Sequence, residues 1–471
     1  MDYKKIFAFI VIFSLYFTIN SILWLNHPPV WPDEAQYGDI AYNLNTISKI
    51  KSDLQPGILN SEKQIYWYPP FLFYIFSTGY RYLGFSINTQ RIFPMIMGAL
   101  ALLFIYFLSV KIIKDKKMSF LILLLLLNDL IFMRASRISR PEIIILALNL
   151  IAYYLILKNK SIKSFIIAGI LCGLGIVIQP YGLISIVIIS LYTLITERQK
   201  GLIKLSIFFI PIFLCILWWF YKIDFRFDYW LMAMKVNSMR KALEKNYFQQ
   251  LFEDSDKWLS WLHMTFFIAS IYSFIYLIFK SVPNKLFILL GLLVNWLFVF
   301  MGKQHWYFVY FIPFFYLSYF LIIKNEIKNK EKTNLILTGL FLFTIVIINL
   351  HFSFMILKSL NRNNFSYDLY AKTIAQKIPN NSRVFISSIP DPYFELRKNK
   401  TLGITQFTGL PGFKKEYLNM LERADYVVYN GTYDYVYGNF LKNYIKAHTF
   451  STIFIDNGPD QYQGYLIKLK K

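Results

Sequence analysis

The sequence predicts a polytopic α-helical membrane protein with a small soluble α/β domain towards its C-terminus, on three observations. Of its 471 residues, 56% are hydrophobic and 19% aromatic, which is too apolar for an ordinary soluble domain. Apolar runs recur at close to the ~20 residues that cross a bilayer. Lysines and arginines cluster in short segments between those runs, the pattern that orients spans by positive charge. The net charge of +23 is therefore read as cytoplasmic loops, and no nucleic-acid partner is expected. Cys172 and Cys215 both lie inside apolar runs, so a disulfide framework is not expected either.

The first run, 6–25, follows the basic start MDYKK. No small-residue cleavage site follows it, so it reads as an uncleaved span rather than a signal peptide. Further runs at 91–113, 119–133, 143–157, 163–178, 182–196, 204–221, 259–279, 285–301, 306–323 and 334–357 bring the total to about eleven. The stretch YWYPPFLFYIFSTGYRYLGF, 66–85, carries a double proline with Ser77, Thr78 and Arg81; it suits an interfacial helix better than a span. With the N-terminus inside, this count puts the short basic segments KDKK, LKNKSIK, ERQKGLIK, KSVPNK and KNEIKNKEK on the cytoplasmic side. Counting 66–85 as a span would put them all outside, against the positive-inside rule.

The outward segments are then a first loop at about 26–90, the stretch 134–142, the stretch 222–258 and the tail. In the tail, SRVFISS, ADYVVYNG and FSTIFID read as strands, and KKEYLNMLER and GNFLKNYIKAH as helices. The expected division is a membrane domain over 1–357 and a soluble extracytoplasmic α/β domain over 358–471. No internal repeat of the transporter kind is evident.

The chemistry-bearing residues fall on the outward side. After Pro32, the positions Tyr37, Ile40, Ala41 and Leu44 make one apolar helical face. Asp33 and Glu34 occupy the first turn, where the helix dipole favours negative charge; such acids commonly only cap a helix. RASRISRPE packs Arg134, Arg137, Arg140 and Glu142 into nine residues against the positive-inside trend. Arginine forks suit a lipid phosphate, although headgroup pairing is the simpler alternative, and Glu142 also sits where a first-turn acid would. GKQHWYFVYFIP offers Lys303, His305 and Tyr307 beside an aromatic belt. His263 reads as a packing histidine. Walker, nucleophile-elbow and zinc-spaced motifs are not found in the sequence.

An acidic pair after the first span, a PP before an interfacial helix, an Arg-then-acid stretch after the third span and a Lys-aromatic-Pro stretch near a late span occur in that order. The combination resembles the GT-C superfamily of polyprenyl-phosphate-dependent glycosyltransferases, in particular the protein O-mannosyltransferase and lipid A aminoarabinose transferase group, over about 1–323. The resemblance implies catalytic roles for Asp33, Glu34 and Glu142, with Asp33 activating the acceptor or, with Glu142, helping to hold a divalent cation; no other cofactor is implied. It implies substrate binding by Arg137, Arg140, Lys303, His305, Tyr307 and Tyr68. Three positions depart from the usual family pattern: Gln36 stands where an arginine is expected, Tyr68 where a base precedes the prolines, and Glu142 where an aspartate is expected, as in some mannosyltransferases.

The expected function is transfer of a sugar from a polyprenyl-phosphate donor to a glycan, lipid or protein acceptor, with inversion, at the outer face of a prokaryotic inner membrane. Asp33 would accept the acceptor proton, the arginines and Lys303 would stabilise the departing phosphate, and Trp31, Tyr37, Tyr66 and Trp67 would stack on sugar. A transporter or flippase, or a polymerase of lipid-linked glycans, is the alternative. The most notable intramembrane polar residues, Asn128 and Asp129, sit late in a span and do not mark a transport path.

Overall fold

The computed structural model describes residues 3–25, 27–243, 257–302, 305–361, 366–434, 436–456 and 463–470. The predicted apolar runs are helical. Among the described residues, Ile87–Ile113, Pro180–Glu197, Gln199–Lys222, Trp261–Phe279 and Lys332–Lys358 are long and apolar enough to cross a membrane. Phe9–Ile22, Ile162–Ile176 and Lys285–Met301 are shorter apolar helices. Phe213, Leu214, Phe343 and Phe354 are each more than half exposed, as side chains are on helices whose solvent is lipid.

The described residues fall into two compact units. The first comprises Met1–Ile22, Pro94–Trp219 and Glu244–Met355. Here the run 119–133 is not one helix but two, Lys116–Asn128 and Leu130–Ala135, joined at Asp129. Local hydrophobicity hides the break, and distant polar groups support it. Asp129 Oδ1 accepts from the Phe132 N–H at 3.0 Å, and Asp129 Oδ2 accepts from the Tyr316 hydroxyl at 3.0 Å. The freed Leu130 N–H donates to Asn349 Oδ1 at 3.0 Å. A broken backbone in an apolar interior requires such partners, so the buried Asp129 is accounted for by structure. Nearby, the turn Pro180–Gly182 lies directly on helix Ile162–Ile176. A Cβ on Gly182 would come within 2.4 Å of the Gly175 backbone, so only glycine fits.

The second unit comprises Leu23–Phe93, Phe220–Leu243 and Ile356–Lys471. Its sheet contains β1 (Arg383–Ser387), β2 (Gly403–Gln406), β3 (Tyr426–Tyr429), β4 (Thr449–Asp456) and β5 (Gln463–Leu469). The order is β2-β1-β3-β5-β4. β1 pairs in parallel with β2 and β3, bringing Val384 opposite Ile404 and Tyr426; β5 runs antiparallel to β3 and β4. Three strands and the helices Lys414–Arg423 and Phe440–His448 lie where the sequence predicts them. β2 and β5 are additional.

The sheet does not close its core by itself. Phe385, Phe407, Tyr417, Leu421, Val427, Leu441 and Ile467 share one cluster with Ile58 and Leu59 of the first loop and with Ala233 and Val236 of helix Phe227–Leu243. The first loop itself contains two helices, Pro32–Ile47 and Phe71–Leu83. The latter is the helix predicted within 66–85; its 13 residues are too few to span a bilayer.

Candidate active site

In the second unit, Trp31 enters helix Pro32–Ile47 in an extended conformation and Pro32 takes the first helical position, where its missing N–H costs nothing. Glu34 Oε2 accepts from the Trp31 N–H at 3.0 Å, the capping role open to such an acid. Its main partner is Arg91. Arg91 Nε donates to Glu34 Oε1 at 2.9 Å and Nη2 to Oε2 at 2.7 Å, and both side chains are fully buried. The remaining guanidinium hydrogens go to the carbonyls of Trp24, Pro28 and Pro29 at 2.7, 3.1 and 3.3 Å. All five donors of the fork are satisfied. Glu34 is therefore a buried structural anchor rather than a group presented to substrate. Asp33, one residue earlier, is half-buried.

The helix that Asp33 begins is buried on more than its predicted face. Tyr37, Ile40 and Ala41 are covered as expected, but so are Gln36, Asp39 and Asn43, because each finds a polar partner beyond the helix. Asp39 accepts from the Tyr393 hydroxyl at 2.7 Å, the Ser52 hydroxyl at 2.8 Å and the Asp53 N–H at 2.7 Å. Burial pushes its carboxyl above the ordinary range, while Arg397 and the Tyr393 hydroxyl oppose the shift. Gln36 donates to Gln55 at 3.1 Å and accepts from the Tyr68 hydroxyl at 3.4 Å. Gln55 donates to Thr408 at 2.7 Å. Two of the family departures, Gln36 and Tyr68, thus meet each other in a neutral polar chain.

In the first unit, helix Leu130–Ala135 leads into the turn that carries the arginines, and Glu142 opens helix Glu142–Lys158 behind Pro141. Arg137 is buried, with Nη1 3.4 Å from Asn20 Oδ1. Arg140 Nη2 donates to Glu142 Oε1 at 3.0 Å. The Arg140 guanidinium carbon lies 4.7 Å from the Trp306 ring centre, within reach of a cation–π attraction. The arginine stretch and the late aromatic stretch, far apart in sequence, are therefore joined through Arg140 and Trp306. Tyr307 stacks on Tyr181 with centroids 3.9 Å apart. The Tyr310 hydroxyl is buried without a hydrogen-bond partner among the described residues. His263 is buried against Phe308, as a packing histidine would be. Lys303 and the side chain of His305 lie outside the described residues.

Asp33, Glu34 and Tyr68 thus belong to one unit, and Arg137, Arg140, Glu142 and Tyr307 to the other. Arg91, Trp306, Tyr181 and Tyr310 were not singled out from the sequence. An arginine opening the apolar run at 91 was the available signal for the first of these. As for a metal, no group of three His, Cys, Asp or Glu gathers among the described residues. Glu142, expected with Asp33 as a ligand, directs its carboxylate to Arg140. The donor set present does not fit a metal centre, and no step is assigned to one.

These features define a polytopic membrane protein of the GT-C fold. Residues 68–222 match the family described as dolichyl-phosphate-mannose-protein mannosyltransferase. An uncharacterized protein of Aquifex aeolicus is 26% identical over 203 residues, 42% of this chain and 40% of that relative. The undecaprenyl phosphate-alpha-4-amino-4-deoxy-L-arabinose arabinosyl transferase of Yersinia enterocolitica is 24% identical over 209 residues, 42% of this chain and 36% of the relative. The chain thus matches well under half the length of these curated relatives. ArnT from Cupriavidus metallidurans, solved with undecaprenyl phosphate, superposes with a TM-score of 0.63 at 13% identity, over 99% of this chain and 98% of that one. The oligosaccharyltransferase AglB of Archaeoglobus fulgidus, solved with an inhibitory peptide and a dolichol-phosphate, gives 0.55 at 12% identity, over 99% and 74%. The chain thus shares the fold of these GT-C proteins, and its residues 68–222 match the mannosyltransferase family model.

Proposed function

We propose that this protein is a membrane glycosyltransferase that moves a sugar from a polyprenyl-phosphate donor to a glycan, lipid or protein acceptor at the extracytoplasmic face. The observation that carries the proposal is a division of labour in the acidic pair. Glu34 is buried on Arg91, while Asp33, on a helix start fixed by that anchor, is half-buried. Similarity in fold to a protein solved with undecaprenyl phosphate supports the donor class.

In this reading the donor arrives activated by its phosphate, and no nucleotide is required. The Asp33 carboxylate accepts the proton of the acceptor hydroxyl as that oxygen attacks the anomeric carbon. The bond to the phosphate oxygen breaks, and a single displacement inverts the centre. Arg140, oriented by Glu142 and Trp306, supplies positive charge for the departing phosphate, with Arg137 and Lys303 as further cations. Glu142 acts as the group that aims Arg140.

The test uses purified protein in lipid with undecaprenyl-phosphate-linked 4-amino-4-deoxy-arabinose and mannose, following release of undecaprenyl phosphate with acceptor present. Asp33→Asn is expected to lower kcat by about 10²–10⁴-fold, with thermal stability and undecaprenyl phosphate binding retained. Full activity in that variant would remove Asp33 from the mechanism. Tight donor binding with no turnover, acceptor present, would favour a transporter.

A further inference from the structure

Two buried residues of the second unit hold the backbone that carries Asp33, Asp391 through its own N–H and Gln406 through its side-chain amide, and the reaction as proposed does not use them. Asp391 follows β1, and its N–H donates to the Val30 carbonyl at 2.9 Å. Gln406 ends β2, and its Nε2 donates to the Pro32 carbonyl at 3.3 Å and also to Asp391 Oδ2. Asp391 Oδ1 accepts from the Tyr393 N–H at 2.8 Å, and the Tyr367 hydroxyl holds the Asp391 carbonyl at 2.8 Å. Asp391 is fully buried and Gln406 nearly so. The carbonyls on both sides of Trp31 are thus held by the sheet, and the side chain of Glu34 is held by Arg91. Asp33 lies between these two anchors.

We propose that Asp391 and Gln406 are positioning residues: together they clamp the backbone at Val30 and Pro32 and so fix where the Asp33 carboxylate points. The inference rests on the role given to Asp33 above. A buried acid is a costly way to hold a loop, and the geometry gives it a use, because reacting groups lose rate when displaced by an ångström. The clamp also responds to protons. Burial and the nearby Glu34 charge push the Asp391 carboxyl up to about 7, with the Gln406 amide and the Tyr393 N–H opposing. Glu34 with its partner Arg91, Tyr367, Tyr370, Tyr393 and Gln406 are the titratable or polar groups around it. Once protonated at Oδ2, Asp391 becomes a donor. Gln406 then turns its amide oxygen, which has no partner among the described residues, towards that proton and releases Pro32.

Hydrogen–deuterium exchange on the full-length protein in lipid, wild type beside Gln406→Leu and Asp391→Asn, tests the clamp without any donor. The amides of 30–37 should exchange at least about tenfold faster in Gln406→Leu while those of β1 and β3 keep their rates. With undecaprenyl-phosphate-linked 4-amino-4-deoxy-arabinose and mannose as probes, kcat should fall about tenfold with KM within about twofold. The acid limb of kcat near pH 7 should disappear. Unchanged exchange at 30–37, or equal loosening of β1 and β3, overturns the clamp. Turnover lost in Asp33→Asn but unaltered in Gln406→Leu also overturns it and leaves the proposed function intact. Turnover that survives both substitutions removes the role of Asp33 itself, and with it the purpose of the clamp.

Discussion

Two arginine–glutamate pairs among the described residues share the same chemistry and differ in their surroundings. Arg91 and Glu34 lie 57 residues apart, are wholly buried, and the guanidinium has every hydrogen committed to Glu34 or to backbone carbonyls. Arg140 and Glu142 are two residues apart, and their side chains keep 10% and 3% of their surface. Arg140 also lies against Trp306. The first arrangement secures the chain; the second sets a guanidinium beside an aromatic ring, the cation the proposed reaction uses.

Substitutions can break this contrast. The largest effect is expected from Arg91→Ala, which strands a buried carboxylate and should lower stability by about 3–5 kcal/mol, seen as a lower thermal unfolding midpoint in detergent. Replacing both partners together, Arg91→Met with Glu34→Met, should recover most of that loss, since an apolar pair of similar size has no charge to desolvate. Failure of the double variant to recover would mean that the carbonyl cage of Trp24, Pro28 and Pro29, not the charge, does the holding.

The Glu34 side of the comparison sharpens with Asp391. Its carboxyl rises from 3.8 to about 7 in the folded chain. Between those values the folded state holds a proton that the unfolded state has released, so stability falls as pH rises through that window and is level above it. The span corresponds to at most about 4 kcal/mol. Asp391→Asn should flatten this slope in unfolding measured from pH 4.5 to 8, and an unchanged slope would assign it to other groups.

On the Arg140 side, Arg140→Lys keeps the charge but loses the fork. It should lower kcat by about ten- to a hundredfold with the unfolding midpoint nearly unchanged. Trp306→Leu removes only the ring beside the guanidinium. It should cost about 1 kcal/mol of transition-state stabilisation, roughly fivefold in rate. A larger loss of stability than of rate in either variant would make this pair structural as well.

The sequence disclosed much of the architecture because much of it is periodic. Apolar runs became helices, and KKEYLNMLER, amphipathic and bounded, coincides with helix Lys414–Arg423. What it withheld depends on partners far away in the chain. Asp39 and Gln36 look like solvent positions of an amphipathic helix, and only Tyr393, Ser52 and Gln55 explain their burial. The break at Asp129 lies in an unbroken apolar run and is supported by Tyr316 and Asn349. β2 is four residues long, too short for alternation to show. At the candidate site the types and order of residues were legible, while the difference between Asp33 and Glu34 required Arg91.

The shared core of the second unit has a consequence for how the chain is made. Asp39 waits for Tyr393, and Gln55 for Thr408, across 354 and 353 residues. A ribosome adding about 5–20 residues per second finishes the first loop many seconds before the strands that will cover Ile58 and Leu59. During that interval the apolar side chains of the loop wait without the strands that cover them. Biogenesis of this protein therefore includes an obligatory period of exposure, and a chain stalled before β1 presents that unfinished surface to the quality-control machinery of its membrane.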